Sequence, residues 1–370
     1  MSSPLRSLLK FQESGLLLVI LALGLLLTAF SGTVRIPLFE RTADGGRQRV
    51  FNTNAAGERT PAFVEKNKFL NAQNLAQLAK DSSFTAIMAV GMAVVIISGG
   101  IDLSVGAIYA LASVLGALVL RHYGPDGAGA ASGMGVWLGI GACVGTAALC
   151  GLVNGGLIIA LGVHPFIITL GAMAILRGIA FVATKGQSIG DFPPALQEFV
   201  KQEIGDGLSL VPMLVMLVVL VLGWIFLSRL AAGRRVYAIG GNELAARFSG
   251  IRVERVKLGV YLISGFTAGI AALIALGYYG SASSGDGQGY ELNVIAAAVV
   301  GGASLSGGRG SALGVVLGAL IIQMISSGIV ILGIDQNYSQ IIIGTVVIAA
   351  VVLDNFNTWL AKRRLTAKED

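Results

Sequence analysis

The sequence predicts an all-α polytopic membrane protein of about ten transmembrane helices, some short or discontinuous, with both termini in the cytoplasm. Three observations carry this. Of 370 residues, 55% are hydrophobic and only 12% charged, a balance beyond what a soluble core requires. Apolar stretches approaching the length of a bilayer crossing recur along the whole chain. The basic residues behind the net charge of +6 gather in loops and tails beside those stretches. There they orient a membrane protein rather than bind nucleic acid, and no nucleic-acid partner is expected.

The first apolar run, 16–30, follows Arg6 and Lys10 as a signal peptide would. No small-residue cleavage pattern and no polar body come after it, so it reads as the first span. Residues 33–82 then form a periplasmic loop, in which the polar stretch 41–59 reads as an exposed hairpin or mobile loop. Further spans are expected at 84–98, 101–120, 136–161, 165–184, 210–228, 258–276, 292–305, 312–332 and 340–353. The segment 229–257 is a basic cytoplasmic loop with its own short helix, and 359–370 is a cytoplasmic tail. Everything belongs to a single transmembrane domain, 1–370.

Charge counting supports this orientation. The inside segments hold fourteen Lys or Arg: Arg6, Lys10, seven from Arg229 to Lys257, Arg309, and the tail residues Lys362, Arg363, Arg364 and Lys368. The outside segments, leaving out the first loop, hold three. The first loop is the exception, with eight basic residues and five acids over 32–84. Its length approaches that at which charge stops governing translocation.

The 52 glycines exceed what turns need. They recur four apart within spans, Gly141 with Gly145, Gly151 with Gly155, Gly265 with Gly269, and Gly314 with Gly318, a spacing that lets helix backbones touch. Cys143 and Cys150, about 10 Å apart along one helix, cannot bridge and read as packing residues. Twenty residues from Gly99 match twenty from Gly301 without a gap, twelve of them identical. Small apolar residues inflate the match. The shared frame is still a glycine pair ending one helix, then Leu-Ser-x-Gly, then another helix, as in the discontinuous spans of transporters.

Gly99 and Gly100 let the backbone leave the helix, which puts Asp102 where an N-cap would stand, with Ser104 just beyond it and Ser304 as the counterpart in the echo. An ionisable group at this depth is costly unless capped, hydrated or facing a cavity, so Asp102 is either a structural cap or part of a polar path. Arg177 is the other intramembrane charge and requires a carboxylate or carbonyls within the bundle, as an anchor or a solute contact. Asn154, Thr169, Asn293 and Gln323 read as bonds between helices, and His164, beside Pro165, as a turn residue. No span shows a dense polar cluster or an aromatic platform for a sugar ring. No phosphate loop, metal spacing or nucleophile elbow is present, so neither enzymatic activity nor a cofactor is expected in this chain.

In the basic loop, Gly240 and Gly241 interrupt the chain, Asn242 is an N-cap, Glu243 suits the positive helix end and Gly250 is a stop. Leu244 and Phe248 share one face, and Glu243 pairs with Arg247 beside it. So short a helix must rest on its own spans or on another protein, or else be a connector held by anionic lipid.

The motifs ISGGIDLSVG from Ile97, TLGAMAILRGIAF from Thr169, YAIGGNELAARFSGI from Tyr237 and GYELNVIAAAVVGGASLSGGRGS from Gly289 closely resemble the permease subunits of bacterial ABC importers of the ribose, xylose and galactose branch. The resemblance covers 67–354 and is less specific against branched-chain amino-acid permeases. It implies a bacterial inner membrane location and a second permease copy, identical or not. It also implies cytoplasmic ATPase subunits that hold ATP and magnesium, and a periplasmic binding protein that delivers a sugar. By the same resemblance, Asn242, Glu243, Leu244, Arg247, Phe248 and Gly250 form the helix that couples to the ATPase. On their own chemistry and placement, Gly99, Gly100, Asp102, Ser104, Asn154, Arg177, Asn293 and Ser304 are candidates for the path or its helix breaks. The acids Asp191, Glu198, Glu203, Asp206, Asp286 and Glu291 read either as an outer surface for the binding protein or as ordinary solvated loops. About thirty residues over 33–67 depart from the family's short loop. The rival readings are an ion-coupled secondary transporter, which glycine-broken helices would suit, and a membrane enzyme.

Overall fold

A computed structural model describes residues 11–41, 47–53, 59–125, 127, 129, 134–204 and 208–366. Arg6, Lys10, the centre of the 41–59 stretch, Asp206 and Lys368 fall outside the described residues, and Lys362, Arg363 and Arg364 have only their backbone described.

Among the described residues, thirteen α-helices follow one another: α1 (Phe11–Phe30), α2 (Ala72–Ile97), α3 (Val105–His122), α4 (Gly135–Leu161), α5 (Pro165–Thr184), α6 (Pro194–Val200), α7 (Leu210–Arg229), α8 (Ala231–Gly241), α9 (Glu243–Phe248), α10 (Val253–Tyr279), α11 (Tyr290–Val300), α12 (Ala312–Ile331) and α13 (Ser339–Thr366). Eight of them are long and apolar enough to cross a membrane, α1 to α5, α7, α10 and α12. The expected span at 292–305 is α11, whose 11 residues cover only about 16 Å. It is too short to be among the helices that could cross, and the chain turns after it where Gly302 takes a φ of +93°. The expected last span falls in α13, which is not among these eight: its described apolar part is a shorter stretch ending at Val352.

Helix α2 is the axis of the fold. Nearly all of its length is buried, with α4, α7, α10, α11 and α12 gathered around it and its near neighbours. An apolar helix buried all round is what the sequence shows here, since Ala, Val, Met and Ile fill 84–97 with no polar face. The helix starts at Ala72, where the Asn71 side chain accepts from the amide of Asn74 at 2.8 Å. The expected loop 33–82 is therefore shorter, and Lys80 and Asp81 sit inside the helix, bridged at 3.1 Å. Lys80 is buried with its ammonium 4.0 Å from the Tyr278 ring centroid, a cation–π contact that compensates burial.

Two of the glycine pairs seat α4 against α10. A side chain at Gly151 would meet the Tyr261 carbonyl, and one at Gly265 the Ala147 carbonyl. Gly314 and Gly318 in the same way admit the backbone of α11. The pair Gly141 and Gly145 does not make the expected helix contact: nothing lies within 4 Å, because that stripe of α4 turns away from the bundle. Cys143 is buried and Cys150 partly buried, both as free thiols.

Between α1 and α2 the chain builds a three-armed β structure. Strand β1 (Thr33–Pro37) pairs with β6 (Phe63–Asn67), β2 (Phe39–Arg41) with β3 (Arg47–Arg49), and β4 (Phe51–Thr53) with β5 (Arg59–Pro61), all antiparallel. The arms meet in a closed ring of backbone bonds: Leu38 N–H to the Ala62 carbonyl at 2.9 Å, Val50 N–H to that of Leu38 at 2.9 Å, and Ala62 N–H to that of Val50 at 2.8 Å. These three residues are spaced twelve apart, each followed by Phe, a short repeat hidden in what reads as loop. Asn67 ties the arm to the body, accepting from the amides of Phe69 and Leu70 and donating to the Thr28 carbonyl. A last small pair, β7 (Glu203–Ile204) with β8 (Leu208–Ser209), precedes α7. The three-armed structure and the α8–α9 segment lie at opposite ends of α2, about 39 Å apart.

Candidate transport site and coupling surface

At the C-terminal end of α2 the chain breaks, with Gly99 at a φ of +84°. Asp102 follows, fully buried, and holds three hydrogen bonds. One carboxylate oxygen accepts from the Ser104 amide at 3.0 Å and its hydroxyl at 2.6 Å, and the other accepts from the Ser264 hydroxyl at 2.8 Å. Asn154 of α4 donates to the Ser104 hydroxyl at 2.7 Å. Ser104, not Asp102, is the residue at the cap position of α3, and its own side chain makes no capping bond. The expected cap is displaced because Asp102 sits two residues further out and turns its carboxylate back onto Ser104, so it secures the break and links α3 to α10. Thr169 of α5 donates to the Ile101 carbonyl at 3.4 Å, and the Tyr261 hydroxyl to the same carbonyl at 3.3 Å. Four helices thus converge on the break, at the level of Ser264, about 16 Å along α10.

The second break, after α11, lies alongside the first. The Gly308 amide donates to the Ile97 carbonyl at 2.9 Å. Ser304 is buried, and its amide donates to the Arg309 carbonyl at 3.1 Å. Between the two breaks stands the end of α8. Any side chain at Gly240 would run into the Ile97 carbonyl and lie 2.6 Å from the Gly308 nitrogen. The Tyr237 hydroxyl donates to the Gly310 carbonyl at 2.7 Å, and burial pushes its phenol above the usual range, keeping it a donor. Gly240 and Gly241 do not interrupt the chain as expected. They finish α8, and the interruption comes at Asn242, because the pair is used for close approach of backbones rather than for a turn.

Asn242 caps α9, accepting from the Ala245 amide at 2.9 Å. Glu243 pairs with Arg247 at 3.8 Å, as its spacing suggests, but more closely with Lys257 at 2.8 Å, and Arg247 reaches Glu254 at 2.7 Å. These pairs strap the six-residue helix to the start of α10. Gly250 follows as the stop. Inward, Ala246 packs on Ile239 and Val253. Outward, Leu244 and Phe248 are 68% and 89% exposed, so the apolar face does not rest on its own spans.

At the opposite end, Arg177 of α5 donates to the backbone carbonyls of Ser284 at 2.9 Å and Asp286 at 2.5 Å. Arg177 lies about 10 Å short of the end of α5, so it draws the loop between α10 and α11 down into the bundle. Gly287 of that loop touches Gly106, and the space at Gly106 is filled by the Glu291 carboxylate. The expected acidic surface therefore divides. Asp191 and Glu198 are exposed, whereas Asp286 and Glu291 turn partly inward. Asn293 is half-buried early in α11, Gln323 borders a groove between α2 and α12, and the His164 ring accepts from the Phe166 amide at the start of α5.

Beside the clamped loop lies a cavity of about 300 Å³, lined by Tyr109, Ser113, Tyr279, Asp286 and Tyr290 among others. The Tyr109 and Tyr290 rings are 5.4 Å apart between centroids. No single stretch of sequence shows this cluster, because it draws one or two residues from each of four segments. The spacing of Tyr109 and Ser113, one helical turn apart, was the available signal.

Residues 74–351 match the family profile described as "Branched-chain amino acid transport system / permease component". Among curated relatives, the ribose import permease protein RbsC of Escherichia coli (strain K12) is 38% identical over 290 residues, 78% of this chain and 87% of the relative. The D-allose transport system permease protein AlsC of the same strain is 38% identical over 286 residues, 77% and 84% of the two chains. The fructose import permease protein FrcC of Rhizobium meliloti is 34% identical over 302 residues, 80% of each. No solved structure matches. The fold and both ends of the bundle define a multi-pass transport permease. The chain belongs to the family of that profile, the permease components of transport systems.

Proposed function

We propose that this chain is the membrane subunit of an ATP-driven importer in the bacterial inner membrane, taking up a monosaccharide or similar small polar solute. A periplasmic binding protein delivers the solute, and a separate cytoplasmic ATPase drives alternating access. ATP and magnesium are bound by that partner, a second permease copy completes the pathway, and the chain itself performs no hydrolysis. The observation that carries this reading is the α9 surface: a helix of six residues, unable to persist alone in water, is strapped in place with Leu244 and Phe248 turned outward. A preformed apolar anchor framed by charges is a docking face for another protein. Behind it, Gly240 is lodged between both helix breaks, so a push on α9 reaches Ile97 and Gly308 directly. The monosaccharide comes from the relatives, whose names specify ribose, allose and fructose.

Branched-chain amino acids remain the second reading, favoured by the wording of the family description. Uptake by vesicles carrying the permease, the ATPase and the binding protein decides between them. ATP-dependent accumulation of D-ribose, D-allose or D-fructose is expected. Accumulation of L-leucine alone, or uphill uptake by the permease without its ATPase, overturns the proposal.

A further inference from the structure

The cavity beside the clamped loop carries chemistry that coupling does not use. Its rim is open, with Tyr279 53% exposed and Ser281 exposed, while its floor, Tyr109 and Ser113, is 4% and 2% exposed. The hydroxyls of Tyr109, Ser113 and Tyr290 make no hydrogen bond among the described residues, although the bundle around them is close-packed. Tyr109 and Ser113 are buried residues and Tyr290 a half-buried one, and all three line one polar space to which their unbonded hydroxyls are open. With Asp286 at its edge, that space suits a ligand rich in hydroxyl groups. The tyrosine rings supply apolar walls for the C–H faces of such a ligand.

The charge works against a zwitterion. The ammonium of an amino acid could pair with Asp286, but its carboxylate finds no Lys or Arg among the described residues that line the cavity. The Arg177 guanidinium is engaged with the Ser284 and Asp286 carbonyls, and the Lys80 ammonium with Asp81 and the Tyr278 ring. Asp286 would repel the incoming carboxylate, whereas a sugar hydroxyl donates to it.

We infer that the cavity lined by Tyr109, Ser113, Tyr279, Asp286 and Tyr290 is a weak binding site for a neutral monosaccharide on the outer half of each permease, entered before the solute passes the Asp102 break. The inference deepens the proposed sugar import and rests on it. The site holds sugar in the millimolar range, about 1–10 mM, since only a few hydroxyls contact the ligand.

Saturation-transfer NMR on the full chain in nanodiscs, without ATPase or binding protein, tests the site directly. D-ribose is the sugar probe and L-leucine the comparison. D-ribose ring protons should receive saturation from the wild-type protein and L-leucine should not. The triple variant Tyr109→Phe, Ser113→Ala, Tyr290→Phe should lower the ribose signal about fivefold, as expected when the positioned polar groups of a pocket are lost. Ser113→Ala alone should give an intermediate loss and guards against misfolding of the triple variant. No signal on the wild type, equal signals on wild type and both variants, or equal transfer to L-leucine overturns the site. Because the measurement involves no ATP, its failure is separate from a failure of ATP-driven uptake, which bears on the importer reading instead.

Discussion

The amide of Gly308 donates to the carbonyl of Ile97, joining two helix breaks that lie more than two hundred residues apart in the chain. The end of α8 lies against that bond, so the two breaks and the α8–α9 segment are packed as one unit.

Gly240→Ala places a methyl against the Ile97 carbonyl, with backbone on both sides that cannot step aside. The expected cost is about 1–3 kcal/mol, typical of overpacking, read as a lower melting temperature in detergent. Uptake should fall further than the melting point suggests, while the ATPase stays bound, because α9 itself is untouched. Normal uptake with an unchanged melting temperature would show that Gly240 is not lodged as described.

Phe248→Asp tests the docking face. At 89% exposure the residue contributes little to folding, so stability should change by no more than about 0.5 kcal/mol. Co-purification with the ATPase should be lost. An ATPase still retained in detergent would mean that the partner does not grip α9.

Asp102→Asn keeps the shape of the side chain but exchanges one acceptor oxygen for a donor. The Ser264 hydroxyl can turn to accept, so the loss is about 1 kcal/mol, whereas Asp102→Ala leaves both serines without their acceptor and costs about 2–3 kcal/mol. Thermal melts of the two variants separate these values. A variant with Asn that assembles and melts normally yet transports nothing would instead make Asp102 a path residue.

Arg177→Ala abandons two backbone carbonyls, of Ser284 and Asp286. An orphaned buried acceptor costs about 1–3 kcal/mol. Amide exchange over 280–289 should quicken, with 253–275 unchanged. Uniform protection across both stretches would show that the clamp is dispensable.

Much of this architecture was legible in the sequence, for identifiable reasons. A bilayer crossing demands a run of apolar residues, and ten such runs were visible as α1 to α5, α7 and α10 to α13. Asn242 and the Leu244/Phe248 pair were legible because capping and helical spacing are local. The three-armed structure at 33–67 was not, since its ring closes through backbone groups of Leu38, Val50 and Ala62, whose pairing depends on register rather than residue type. Lys80 looked like a loop residue because its burial is made tolerable by the tyrosines of α10, distant in sequence, together with the neighbouring Asp81 carboxylate.

Hydrophobic length and charge placement by themselves determined that this chain threads a membrane repeatedly and presents a basic, capped surface at one end. Those are properties of single segments and of their transfer from water. Where the polar groups meet was decided by tertiary structure alone: Asp102 with Ser264, Arg177 with the loop carbonyls, Gly240 between Ile97 and Gly308, and Tyr109 facing Tyr290. Each is a contact between segments far apart in the chain, formed because a buried polar group or a bare backbone must find its complement wherever packing brings one within reach.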